Sequence, residues 1–294
     1  TALVNQGGEV VVLDNFSTGK RENIAHLDGK ITLVEGDLLD RKTVSNVVQD
    51  VEVVYHQAAL ASVPRSVANP FDTHQACTTG TLNVLDLSRS AGVRRVVYAG
   101  SSSAYGNQPY SSKREADFPQ PLSPYAAAKL AGEYYCKAFC TTYGLETVTI
   151  RYFNVFGPRQ DPKGEYSAVI PKFVTAMLSG EQPTIFGDGL QSRDFTYIEN
   201  VVRANLAAAT ASEAPGRIIN VACGHQFTLL HLVKAINKIL ETNIEPRFAE
   251  RRPGDVKDSL ADISVAQKLL GYEPAVGFEE GLRQSIEYYR TLSI

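Results

Sequence analysis

The first 153 residues change repeatedly between two hydrophobic periods. Short, mostly apolar runs occupy positions 9–14, 31–35, 53–56, 96–100 and 146–152. Between most of them, at 41–48, 79–90 and 125–143, apolar residues recur every three or four positions. Short continuous apolar runs predict buried strands, and the longer period predicts helices. Buried strands alternating with helices specify a parallel sheet covered on both faces, and right-handed crossovers make it doubly wound. From Asn154 onward the pattern is broken by Pro158, Pro162, Pro171, Pro183 and repeated glycines. Amphipathic stretches at 169–178, 198–210, 229–240 and 278–289 predict helices in a smaller α+β lobe. Such a lobe is expected at the carboxyl edge of the sheet, where open α/β sheets bind ligands. The expected domains are 1–153 and 154–294, with parts of 194–222 returning to the first. No Ser/Gly-rich linker, internal repeat or low-complexity tract interrupts them.

A doubly wound sheet of Rossmann type opens with a strand, a Gly-rich turn and a helix whose N-terminus holds a pyrophosphate. Residues 1–6 read instead as the end of a helix, with Gly7-Gly8 as its stop, and 9–14 reads as a second strand ending in an acid. The sequence is therefore expected to be incomplete at its N-terminus, lacking a first strand and phosphate loop of roughly twenty residues. The alternative is a protein that never held a dinucleotide.

Composition narrows the function. The chain has 294 residues, 44% of them hydrophobic and 21% charged, and a formal net charge of −3. These are values of an ordinary globular protein. No apolar run approaches the ~20 residues that span a bilayer, and no charged-then-apolar leader opens the chain, so no membrane role is expected. A nucleic-acid partner is not expected either, because no basic excess is present and the doublets Arg94-Arg95 and Arg251-Arg252 are too short to form a stripe. Cys77, Cys136, Cys140 and Cys223 fit no zinc spacing, so no metal is expected. Few cysteines and no leader suggest a reducing cytoplasm.

Several residues carry chemistry. Asp14 closes a Val-Val-Val-Leu strand, where a carboxylate either caps a turn or accepts both hydroxyls of an adenosine ribose, favouring NAD over NADP. Asn15-Phe16-Ser17-Thr18-Gly19 extends it with small polar groups, and Asp37, followed by Leu38, ends the next strand. In His56-Gln57-Ala58-Ala59 the alanines let backbone approach a flat ligand, while His56 reads as structural. Tyr125 and Lys129 are the chemical centre. On a helix they share one face, and an ammonium one turn from a phenol favours the phenolate, making tyrosine a usable base. Ser123-Pro124 supplies the helix start. Ser101, Ser102 and Ser103 follow a buried strand, either as a polar turn or with one hydroxyl bonding the oxygen that Tyr125 deprotonates.

Together with Arg151-Tyr152-Phe153-Asn154-Val155-Phe156-Gly157, Ile185-Phe186-Gly187-Asp188-Gly189, Arg193-Asp194-Phe195 and Arg252-Pro253-Gly254-Asp255, these segments resemble an extended short-chain dehydrogenase/reductase from residue 1 to about residue 290. Within that group the chain is most similar to nucleotide-sugar 4-epimerases. The resemblance implies a catalytic Ser101, Tyr125 and Lys129. It implies an NAD site formed by Asp14, Asn15, Ser17, Thr18, Gly19, Asp37, Leu38, Gln57, Ala58, Ala59, Ala61, Tyr125, Lys129, Phe153 and Val155. It implies a UDP-sugar site using Ser101, Ser102, Ser103, Tyr125 and Asn154, with Val169, Ile170, Pro171, Thr184, Ile185 and Phe186 around the uracil. Arg193 and Arg252 would clamp the diphosphate, and Asp255 would bind ribose or orient Arg252. Cys77 stands where the family commonly has a cofactor-contacting Asn, and a thiol is a weak donor.

The same resemblance sorts the reactions. The family's dehydratases carry an acid and a base where this chain has Ser102 and Ser103, which cannot serve in elimination. No site for a uronic carboxylate supports decarboxylation. The seventh residue after Arg252, Ser259, occupies a position where similar epimerases border the sugar. A small residue there leaves room for a 2-acetamido group, so the expected substrates are UDP-N-acetylglucosamine and UDP-N-acetylgalactosamine, with UDP-glucose and UDP-galactose possible in the same pocket. The alternatives are UDP-glucuronate 4-epimerisation and a non-catalytic nucleotide-binding protein. Helices 79–90 and 125–143 resemble those that pair in a homodimeric four-helix bundle, with Leu82, Leu85, Leu87, Tyr134 and Tyr135 as candidate contacts.

Overall fold

A computed structural model describes residues 1–110, 112–162, 168–251 and 257–292. The chain divides into two compact units, each discontinuous in sequence. Unit 1 is Thr1–Gly100, Ser123–Ile150 and Ala208–Ile218; unit 2 is Ser101–Leu122, Arg151–Ala207 and Ile219–Ile294.

Unit 1 opens with a one-turn helix, α1 (Ala2–Asn5), and strands β1 (Val11–Asp14) and β2 (Thr32–Glu35). These two pair in parallel, Val11 opposite Thr32 and Asp14 opposite Glu35. Asp40 caps helix α2 (Arg41–Val47) by accepting the Lys42 N–H, and β3 (Val53–His56) follows. Ser62 and Asn69 cap α3 (Val63–Ala68) and α4 (Pro70–His74), each with Pro in the first turn, where its missing N–H costs nothing. A π-turn at Gln75–Thr79 carries the helix on into α5 (Gly80–Ser90). Strand β4 (Arg95–Ser101) runs parallel to β3, with His56 opposite Tyr98. Helix α6 (Pro124–Tyr143) is the longest described, started by Ser123 and Pro124 and stopped by left-handed Gly144. Strand β5 (Glu146–Tyr152) completes this part of the fold.

The later elements are β6 (Val155–Phe156), α7 (Val169–Leu178), β7 (Thr184–Phe186), β8 (Ser192–Arg193), β9 (Thr196–Tyr197) and α8 (Ile198–Thr210). After them come β10 (Ile218–Val221), β11 (Phe227–Thr228), α9 (Leu229–Leu240), β12 (Arg247–Ala249), β13 (Asp258–Ser259), α10 (Ser264–Leu270) and α11 (Phe278–Arg290). The fold is α/β of Rossmann type: one sheet has the order β10-β5-β4-β3, with β1-β2 as a separate two-stranded piece and a smaller α+β lobe in the C-terminal half. All five apolar runs read from the sequence are strands.

Burial corrects one expectation. Val11 and Leu33 are 45% and 37% exposed, so β1 and β2 are not sandwiched as β4 and β5 are. Among the described residues β1 and β2 form a two-stranded ladder with each other. The core of unit 1 lies instead among Val44, Val84, Leu85, Val96, Tyr98 and Phe139. Leu85 is wholly buried there, which removes it from any pairing face, whereas Tyr134 and Tyr135 are exposed. Arg95, almost fully buried, ties the start of β4 to Glu146 at 2.7 Å and to the carbonyls of Ala208 and Ala211. Unit 2 has its own core, in which α7, α9 and α11 pack their apolar faces with Phe156, Phe195 and Ile185.

Candidate active site

In unit 1 the candidate cofactor residues cluster at the carboxyl ends of β1, β2 and β3. The Asp14 carboxylate accepts the Phe16 N–H at 2.8 Å, and Asn15 accepts the Ser17 N–H and donates to Asp37 at 2.8 Å. Asp37 also accepts the Leu39 N–H, and the Leu38 carbonyl accepts from Asn83. Phe16 holds a left-handed φ of 51°, an uncommon state for a bulky residue, with the Arg21 guanidinium 4.4 Å from its ring centroid. Ser17, Thr18 and Gly19 are exposed on that turn, as are Gln57, Ala58 and Ala61 after β3, while Ala59 is half-buried. A carboxylate on a sheet's carboxyl edge, beside an Asn–Asp pair, is a donor and acceptor set that fits the adenosine half of NAD.

His56 is structural, as its place in an apolar strand implied. It is buried, and burial with the nearby Lys129 charge brings its imidazole down to about 3, so the ring is neutral. Its Nε2 lies 2.8 Å from the Thr81 hydroxyl, which donates to the Cys77 carbonyl. That single hydroxyl proton is thereby used, so Nε2 is the donor. Cys77 sits wholly buried in the π-turn, and burial pushes its thiol up.

Tyr125 and Lys129 lie one turn apart at the start of α6, whose first turn is closed by the Ser123 hydroxyl accepting the Ala126 N–H at 3.2 Å. Such a cap is worth about 1 kcal/mol. Tyr125 is half-buried, whereas Lys129 is only 2% exposed. Burial pulls the Lys129 ammonium down, and Glu133, one turn further along, opposes that. The Lys129 Nζ stands 4.7 Å from the Tyr98 ring centroid. Tyr98 and Glu133 were not singled out in the sequence. Strand β4 is apolar almost throughout, so no alternation marked Tyr98, and Glu133 reads as an ordinary helix residue.

In unit 2 Ser101 ends β4 and caps a 3-10 turn, Ser102–Tyr105. Its Oγ accepts the Ser103 N–H at 3.2 Å and lies 2.8 Å from the Ser103 hydroxyl, with all three serines half-buried. Behind the turn, the Tyr105 hydroxyl donates to Asn220 at 2.7 Å and its ring stacks under the Arg151 guanidinium at 4.6 Å. Burial pushes the Tyr105 phenol up to about 12, so it remains a donor. Phe153 is buried beside Tyr105, and Val155 pairs with Thr196.

Asn154, between β5 and β6, holds φ 36° and donates from Nδ2 to the Asp194 carbonyl at 3.1 Å and to the Ser259 hydroxyl at 3.3 Å. Unit 2 therefore brings Asn154 and Ser259 together, two of the expected sugar-side residues. Asp194, unremarked beyond its motif, is fully buried and accepts the N–H groups of Cys223, Gly224 and Ala261 at 2.9, 3.0 and 3.3 Å. Arg193 donates to the Ser192 and Lys257 carbonyls. Val169, Ile170 and Pro171 form the first turn of α7, and Thr184, Ile185 and Phe186 form β7. Ile170 and Ile185 are committed to the core, so what they can offer a base is backbone. Arg252 and Asp255 lie outside the described residues. Among the described residues no group of histidine, cysteine and carboxylate side chains could hold a metal ion.

Comparison with known proteins agrees with this geometry. The model of the NAD dependent epimerase/dehydratase family matches residues 1–222. The UDP-glucose 4-epimerase of Mycolicibacterium smegmatis is 36% identical over 99% of this chain and 94% of its own. Among solved structures, a UDP-N-acetylglucosamine 4-epimerase from Methanobrevibacter ruminantium, in complex with UDP-N-acetylmuramic acid, superposes with TM-score 0.94 at 40% identity over 99% of this chain and 93% of that one. The UDP-glucuronic acid 4-epimerase of Bacillus cereus, with UDP-glucuronic acid and NAD, gives 0.91 at 32% identity over 98% and 93%. With a tyrosine and a buried lysine one turn apart on a capped helix, a parallel sheet ending in Asp14 and a family match over most of its length, this chain belongs to the NAD-dependent epimerase/dehydratase family.

Proposed function

We propose that the chain is an NAD-dependent 4-epimerase of a UDP-hexose, acting on UDP-N-acetylglucosamine and UDP-N-acetylgalactosamine. The observation that carries the reading is the buried Lys129 ammonium one helical turn from Tyr125. In a low-dielectric setting a fixed positive charge favours phenolate far more than it would in water. Tyr125 then takes the proton of the sugar C4 hydroxyl, and Ser101 hydrogen-bonds the same oxygen. Bound NAD supplies the hydride acceptor, and later the donor, at C4. The chain's own task is to hold the 4-keto sugar, let it turn about its phosphate links and return the proton from Tyr125 to the opposite alcohol. Asp14 with the Asn15–Asp37 pair would hold the adenosine half of the cofactor, and Arg193 with Arg252 the diphosphate.

The substrate preference is supported by the size of Ser259 and its hydrogen bond to Asn154. It is also in keeping with the function of the Methanobrevibacter ruminantium relative. The test is a coupled assay with UDP-N-acetylglucosamine, UDP-glucose and UDP-glucuronate on the wild type, Tyr125→Phe and Ser259→Tyr. The expected result is acetamido-sugar turnover that Tyr125→Phe lowers at least about a hundredfold, the scale of a lost acid–base group. Ser259→Tyr should reduce the acetamido reaction much more than the UDP-glucose reaction. Equal losses on both sugars would overturn the steric argument, and preferential turnover of UDP-glucuronate would reassign the substrate. The proposed assembly is a homodimer paired through α5 and α6, supported by the exposed aromatic rings of Tyr134, Tyr135 and Tyr143.

A further inference from the structure

A buried ammonium needs something to hold it in place. Lys129 is surrounded by α6, the π-turn, β3 and β4. On α6, Glu133 supports the charge and Cys136 is a thiol pushed up to about 12 by burial, so it is neutral. In the π-turn, Cys77 is likewise a thiol raised by burial. On β3, His56 is neutral, and the same lysine helps to keep it so. On β4 stands Tyr98, fully buried and kept a neutral phenol by that burial. Glu133, whose carboxyl raises the lysine's affinity for its proton, sits on the lysine's own helix. From β4 the ammonium meets an aromatic face, the ring of Tyr98.

We propose that Tyr98 is the positioning residue of Lys129, seating the ammonium on its ring. Two contacts make the arrangement specific. The Nζ is 4.7 Å from the Tyr98 ring centroid, inside the range in which a cation is attracted to a π face. The Tyr98 hydroxyl donates to the Lys129 carbonyl at 3.1 Å. The helix accommodates that hydroxyl only because residue 132 is glycine: a Cβ there would lie 2.2 Å from the Tyr98 oxygen. His56 backs the ring from the β3 side, with centroids 5.4 Å apart.

The inference rests on the catalytic reading of Tyr125 and Lys129, and its test separates the two. Protein with 13C-labelled lysine ε-carbons is titrated by NMR without substrate, the Lys129 signal being identified by its loss in Lys129→Met. In the wild type and in Tyr98→Phe the ε-methylene should be displaced upfield by the ring. In Tyr98→Leu it should return toward the position of an ordinary lysine, and its titration midpoint should fall by about one pH unit, the scale of a desolvated cation–π contact. Tyr98→Met, whose flexible side chain fills the volume without a ring, replaces Tyr98→Leu if the latter does not fold. In the epimerase assay, the acidic limb of kcat should move about one pH unit upward in the ringless variant and stay in place in Tyr98→Phe. A ringless variant that folds yet keeps the wild-type shift, midpoint and limb would overturn the proposal. An inactive wild type that nonetheless shows the ring-dependent shift and midpoint would support the seat and count against the catalytic reading alone.

Discussion

Asp194 shows what a single side chain does in unit 2. Its carboxyl is wholly buried, and burial pushes it up to about 6 although three backbone N–H groups bind it. Those bonds gather the chain after β10 and the segment after β13 at the end of β8, and the Asp194 backbone bonds Asn154 and Ser259. The sign of the pH effect follows from the direction of the shift. A carboxyl held above its ordinary value binds its proton more tightly folded than unfolded, so it stabilises the fold most in acid. That contribution is complete below about 3.8 and is lost as the pH rises through about 6. Asparagine does not titrate. The stability advantage of wild type over Asp194→Asn should therefore shrink between pH 4.5 and 7.5, by roughly 2 kcal/mol. Urea unfolding at the two pH values measures it, and an advantage that widened with pH would contradict the assignment. At this scale the sequence was partly legible. Tyr125, Lys129 and the serines were visible as residue types at suggestive spacings, but Asp194 and Tyr98 owe their roles to contacts with distant segments.

Among elements, the ones punctuated by their own residues were readable. Helix α6 begins with Ser-Pro and ends at Gly144, and the expected 125–143 differs from Pro124–Tyr143 by one residue. Helices α3 and α4 went unread because they have six and five residues, too few to show a period, and the π-turn has no sequence signature. The strands of unit 2 are mostly two or three residues long and are set by pairing between remote segments, such as β12 on β7. The serine turn has its own stop. Gly106 adopts φ 61°, ψ −148°, a region essentially open to glycine alone, and a Cβ there would lie 2.0 Å from the Gln120 carbonyl oxygen. Gly106→Ala is expected to cost roughly 3 kcal/mol from strain and overpacking combined. Thermal unfolding should show a drop of several degrees, and an unchanged midpoint would mean the turn has another conformation within reach.

For the whole molecule, the proposed pairing makes a clear demand. Tyr134 and Tyr143 are 57% and 55% exposed on α6, and a charge placed among them would be buried without a partner in a bundle of two copies. Tyr134→Glu should sediment as a monomer at concentrations where wild type is dimeric, with an unchanged circular dichroism spectrum. A wild type that is monomeric at tens of micromolar would end the proposal. The parallel sheet was legible from the apolar runs. The discontinuity of the two units has a consequence of another kind. The chain passes from one to the other at residues 100, 122, 150, 207 and 218. Neither can be excised as a gene fragment, released by one proteolytic nick or exchanged by recombination at a single breakpoint. This architecture is inherited, and lost, as an indivisible whole.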